Sequence, residues 1–193
     1  MNGPRTRRDT GDAGVPPRIL LIGLRGSGKS TVGPILAKRL GRRFIDLDEV
    51  TLARLGAPTV ARAWAELGEG RFREAEAGTL GASLDGPPSV IAAGGGTPTA
   101  PGVDQMIRSR SARGEALVVY LRARPAELRA RMQASPEREN RPSLTGADSL
   151  DEVEAVFARR DPLYGDLAAV VVEGAASALA AAEEIIAALK NRS

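Results

Sequence analysis

Residues 18–31 read Arg18-Ile-Leu-Leu-Ile-Gly23-Leu-Arg-Gly-Ser-Gly28-Lys29-Ser30-Thr31. The short apolar run that ends at Gly23 has the composition of a buried strand. From Thr31 to Leu40, the residues Val32, Ile35, Leu36 and Leu40 recur at helical spacing. Between strand and helix, Gly23 to Ser30 fits the pattern G-x-x-x-x-G-K-[ST]. Glycines there let successive backbone N–H groups turn inward around phosphate oxygens, helped by the positive end of the helix. This chemistry places Gly26, Ser27, Gly28, Lys29, Ser30 and Thr31 around the phosphates of a nucleotide. Lys29 would reach the β- and γ-phosphates, and Ser30 would bind Mg²⁺. A dinucleotide fingerprint does not fit, because Gly26-Ser27-Gly28 is followed by Lys-Ser-Thr and not by x-x-Gly. The plainer alternative is a glycine-rich turn before an ordinary helix.

Outward from this loop the chain alternates. Strands are expected at Arg43–Asp46, Ser89–Ala93, Ala116–Leu121 and Ala168–Val172, and helices at about 102–113, 125–132, 150–160 and 176–190. The stretch 49–84 is helical in pieces, broken near Gly56-Ala-Pro58 and Gly68-Glu-Gly70, and 134–148 reads as a loop rich in Pro, Arg, Glu and Gly. Five apolar strands alternating with helices predict an α/β fold, a parallel sheet covered on both faces. Ligands of such sheets bind beyond the carboxyl ends of the strands, where every motif described here falls. Met1–Pro17, with its Gly, Pro, Asp and Arg, reads as a disordered tail without the apolar core of a secretory signal. Residues 18–193 are expected to form one domain.

Composition narrows the chemistry. The 193 residues are 42% hydrophobic, enough for a core, but only 3% aromatic, so Leu, Val, Ile and Ala must fill it. The net charge is +3, and lysine occurs only at Lys29, Lys38 and Lys190. Arginine, the bulk of the positive charge, grips carboxylates and phosphates through a planar fork of donors. With neither Cys nor His, disulfides, thiol nucleophiles, the usual zinc sites and imidazole bases are excluded. A general base would have to be a carboxylate or a rarer group. No basic block interleaves with aromatics and no apolar run approaches the roughly 20 residues of a membrane span, so neither nucleic acid nor membrane is an expected partner. A cytoplasmic protein is the expectation.

Phe44-Ile-Asp46-Leu-Asp48 closes the second strand, and alternation would put Asp46 and Asp48 on one face. One carboxylate could serve the metal shell and the other an acceptor hydroxyl; equally, Asp48 before Glu49 fits a helix N-cap. In order along the chain stand the phosphate loop, Asp46-x-Asp48, Phe72-Arg73, Gly94-Gly95-Gly96, Arg141-Pro142 and Arg160-Asp-Pro-Leu-Tyr164. This series resembles that of the shikimate kinases, over about Arg18 to Lys190. The resemblance implies a P-loop kinase fold with strand order 2-3-1-4-5, a substrate-binding helical region at about 49–84 and a mobile lid at about 134–148. It implies transfer of the ATP γ-phosphoryl group to the 3-hydroxyl of shikimate, on the route to chorismate and the aromatic amino acids.

Residue roles also follow from the resemblance. Asp48 would bind shikimate hydroxyls and accept the reacting proton, and Asp46 would help hold Mg²⁺. Arg73 and Arg160 would grip the shikimate carboxylate, Gly95 and Gly96 would approach it through their backbone, and Trp64 and Phe72 would line its ring. Arg131 would stack on adenine, and Arg141 in the lid would cover the transferring phosphate. A monomer is expected. Each residue has a plainer reading: Arg73 beside Glu74 and Glu76 could decorate an exposed helix, and Arg160 could be the basic end of one. Trp64 and Phe72 could be core. The sequence departs from the family at Ser143, where leucine is usual, and in a longer lid through Ser135-Pro-Glu-Arg-Glu-Asn140. Another small-metabolite kinase, such as a gluconate or nucleoside monophosphate kinase, is the enzyme alternative. A ligand sensor without turnover is the alternative from outside enzymes.

Overall fold

The computed structural model describes residues 16–134 and 152–192. Its frame is a five-stranded sheet of β1 (Arg18–Ile22), β2 (Arg43–Asp46), β3 (Ser89–Ala92), β4 (Ala116–Arg122) and β5 (Val170–Glu173). The spatial order is β2-β3-β1-β4-β5 and every pairing is parallel. A parallel sheet with covered faces explains why β1, β3 and β4 read as unbroken apolar runs.

Alternation along each strand splits the core in two. Leu20, Ile22, Ile91, Val118 and Tyr120 face one side, under α2 (Leu47–Leu55), α3 (Val60–Asp85), α4 (Val103–Ala112), α5 (Pro125–Ala134) and α6 (Val153–Leu167). Ile19, Leu21, Val90, Val119 and Val172 face the other, under α1 (Lys29–Leu40) and α7 (Ala178–Lys190). A short 3₁₀ turn at Thr97–Thr99 follows the glycines after β3.

Several element bounds shift from the sequence expectation, β5 for example starting at Val170 rather than Ala168, and two shifts bear on the site. The helix expected to end near Arg160 continues to Leu167 through Pro162. Proline there forfeits one backbone hydrogen bond, and the acceptor deprived of it belongs to Ala158, an exposed residue. The buried stripe Val153, Val156, Tyr164 and Leu167 carries the helix past the break. On the same side of the sheet, α2 begins at Leu47, two residues earlier than the reading from Glu49. The expected breaks stand: α2 stops at Gly56, and α3 bends at Gly68, where φ 81° and ψ 155° leave helical space.

Candidate active site

The loop between β1 and α1 folds as its glycines predict. Gly28 caps α1 with φ 99°, a left-handed conformation that favours glycine. Lys29 is buried and lies back along the loop, donating from Nζ to the carbonyls of Gly23 at 2.7 Å and Leu24 at 3.0 Å. The Ser30 hydroxyl donates to Asp46 Oδ2 at 2.9 Å, joining the start of α1 to the end of β2. Asp46, not Asp48, is the N-cap of α2: its Oδ1 accepts from the Asp48 backbone N–H at 3.1 Å. Strand alternation therefore does not align the two carboxylates, because Asp48 already lies in the first turn of a helix. Both nevertheless border a cavity of about 550 Å³ with Gly26, Ser27, Gly28, Lys29, Ser30 and Thr31. Arg131 walls this cavity too, its Nη1 donating to the Gly26 carbonyl at 3.3 Å. Ser30 and Asp46 are hard oxygen donors of the kind a magnesium ion takes. Among the described residues no group of three or more acidic, His or Cys side chains could hold a metal alone. Such an ion would complete its shell from phosphate and water oxygens.

A second cavity, of about 120 Å³, lies between α3, the glycine turn and α6. Trp64 and Phe72 form one wall, edge to face at 6.2 Å. The Arg73 guanidinium sits 5.3 Å from the Trp64 ring and 5.8 Å from that of Phe72, within range of cation–π attraction. Arg73 is not surface decoration, since only 15% of its side chain is exposed. It donates to Glu76 Oε2 at 2.8 Å, and Glu76 Oε1 accepts from the Thr97 hydroxyl at 2.5 Å. Opposite, Arg160 projects from the middle of α6, not from a basic helix end, and donates to the Gly95 carbonyl at 2.9 Å. Burial, with the nearby Arg73 and Arg159 charges, holds the Arg160 pKa below its usual value. Two partly desolvated cations facing one cavity form a site for an anion.

Two of the three glycines stand where a side chain would crowd its neighbours. A Cβ on Gly94 would lie 2.5 Å from Asp48 Oδ1, and one on Gly96 would lie 2.9 Å from the Arg73 guanidinium. Side chains there would displace the groups that shape the cavity.

The two cavities share a wall of Arg25, Asp48, Gly95 and Met132. Asp48 thus stands where a phosphate on one side would meet an acceptor on the other. Of the residues expected at the site, Arg141 lies outside the described residues. The rest gather at one end of the sheet, around the two cavities. Glu76 is the residue that sequence reasoning missed. The sequence brings it up only beside Arg73, in the plainer reading of an exposed helix, yet it is 1% exposed. The signal was present: Phe72, Glu76 and Leu80 follow one another at i, i+4 on the buried face of α3.

Comparison with known proteins adds to this geometry. The sequence model of a family described as "Shikimate kinase" matches residues 25–190. A protein named shikimate kinase from Oleidesulfovibrio alaskensis is 40% identical over 169 residues, covering 88% of this chain and 95% of that one. One named shikimate kinase 2 from Dickeya chrysanthemi is 40% identical over 155 residues, 80% of this chain and 86% of that one. Among solved structures, shikimate kinase from Acinetobacter baumannii in complex with shikimate superposes with a TM-score of 0.81 at 30% identity, covering 93% of this chain and 96% of that one.

Proposed function

The chain belongs to the shikimate kinase family, and from that membership we propose that it transfers the γ-phosphoryl group of ATP to the 3-hydroxyl of shikimate, releasing ADP and shikimate 3-phosphate. The observation that supports this most is the shared wall. A phosphate-cradling cavity and a small cavity with two arginines meet at one carboxylate, Asp48.

Phosphoryl transfer asks a protein mainly for positioning and charge compensation. Gly26 to Thr31 would cradle the phosphates, and Lys29 would exchange the loop carbonyls for the β- and γ-phosphate oxygens. Mg²⁺, where bound, supplies neutralisation of phosphate charge, and Ser30 and Asp46 would hold it. Asp48 would orient the acceptor hydroxyl and take its proton. Arg73 and Arg160 would bind the shikimate carboxylate, while Trp64 and Phe72 pack against the ring and Gly95 and Gly96 approach it through their backbone. Arg131 would lie against adenine. Arg141, from the lid proposed at about 134–148, would cover the transferring group and help exclude water. Among the described residues no helix is long and apolar enough to cross a membrane. We place the enzyme in the cytoplasm as a monomer.

A coupled ADP-release assay with a panel of acceptors tests this. Shikimate should support turnover, and gluconate and nucleoside monophosphates should not. Lys29→Ala should abolish turnover. Arg73→Ala should raise the shikimate KM at least about tenfold and leave the ATP KM unchanged, as expected for loss of a charged hydrogen-bond donor. Rapid turnover of gluconate, or an unchanged shikimate KM in Arg73→Ala, would contradict the reading. Shikimate binding without ADP release would instead favour a sensor.

A further inference from the structure

Tyr164 closes the motif Arg160-Asp-Pro-Leu-Tyr164, and none of the roles above uses it. Its side chain is fully buried on α6, edge to face with Tyr120 at a ring distance of 5.6 Å. Its hydroxyl does not complete a core network. It donates to the Gly95 carbonyl at 2.8 Å, the same oxygen that accepts from Arg160 Nη1 at 2.9 Å. A carbonyl oxygen has two acceptor positions, and α6 occupies both. Burial pushes the Tyr164 pKa up to about 12, so the hydroxyl stays protonated and remains a donor at any working pH.

Fixing this oxygen fixes more than the oxygen. The peptide joining Gly95 to Gly96 is planar and trans, so the Gly96 N–H points to the opposite side from the Gly95 carbonyl. Glycine on both sides leaves that plane free to rotate unless something outside it holds it. The N–H groups of Gly95 and Gly96 have no acceptor among the described residues, and both glycines line the small cavity.

We propose that Tyr164 is a positioning residue for acceptor binding: with Arg160 it locks the Gly95–Gly96 peptide, and so holds the Gly96 N–H as a preset donor to the acceptor. The hydroxyl does this without touching the substrate. Two anchors on one oxygen matter because Arg160 must also bind the acceptor's anion. Tyr164 keeps the peptide fixed while the guanidinium shifts. This inference rests on the acceptor reading given under the proposed function.

Tyr164→Phe deletes the hydroxyl and keeps the ring against Tyr120. The expected result is a shikimate KM raised roughly three- to tenfold, the range for one lost hydrogen bond, with the ATP KM unchanged. A merely structural role would lower the melting temperature and leave the two KM values in their wild-type ratio, which would overturn the proposal. If the variant does not fold, the wild-type protein carries the test. Adding shikimate to the ADP complex should move the Gly96 amide proton resonance and slow its hydrogen exchange, and an unmoved Gly96 amide would overturn it. Wild-type failure to phosphorylate shikimate would strike the proposed function. Wild-type turnover with unaltered constants in Tyr164→Phe would strike only this inference.

Discussion

Glu76 shows what a single side chain contributes here. A carboxylate 1% exposed is tolerable only with partners, and Arg73 and Thr97 supply them. It ties α3 to the turn after the glycines and presents Arg73 to the small cavity. Glu76→Ala would leave the largely buried Arg73 without its main counter-charge. The expected loss is on the order of 3 kcal/mol of stability, read as a lower denaturant midpoint, with a weaker affinity for shikimate. A midpoint equal to wild type would contradict this account of the pair. The sequence shows both residues but not their burial. Adjacent charges on a helix usually mean solvent, and only the spacing of Phe72, Glu76 and Leu80 says otherwise. Asp46 and Asp48 illustrate the reverse: strand alternation would pair them on one face, yet one caps α2 and the other lies within it, and what brings both to the larger cavity is the start of that helix. The loop that carries Lys29 and Ser30 was legible because its shape depends on glycine chemistry local to it, whereas the fold of Lys29 back onto the Gly23 and Leu24 carbonyls was not.

At the scale of elements, α6 carries Arg160 and Tyr164, and its seat on the sheet depends on Asp161. That carboxylate accepts from Arg122 Nε at 2.7 Å and Nη2 at 2.9 Å, and from the Tyr120 hydroxyl at 2.9 Å. The bond from Arg122, a residue in the wall of the larger cavity, is the main reason the Asp161 pKa falls below its ordinary value. A carboxyl depressed in the folded state adds stability above its unfolded pKa, about 3.9, and loses it as pH falls through the folded value. Asp161→Asn should therefore melt below wild type from neutral pH down to about pH 4, with the gap closing at more acid pH. A gap that persists unchanged in strong acid would show that the ion pair is not its source. The path of α6 beyond Arg160 could not be read from sequence, because Pro162 is a strong local stop signal. Burial of Tyr164 and Leu167 overrides it, and burial is a tertiary fact.

For the whole molecule, alternation of apolar strands and helices is enough to specify a parallel sheet, and with it the end at which ligands bind. Strand order is not contained in that alternation; here it came from the resemblance, and the sheet agrees with it. Nor does the sequence say that two cavities would meet at Asp48, since that depends on how closely α3 and α6 approach the glycine turn. The central claim is that this meeting point joins an ATP site to a site for a small ring acid. It is tested most directly by a crystal structure with ADP and shikimate bound. The account predicts the shikimate carboxylate within hydrogen-bond distance of both Arg73 and Arg160, with the 3-hydroxyl facing Asp48. A carboxylate lying away from both arginines would contradict it.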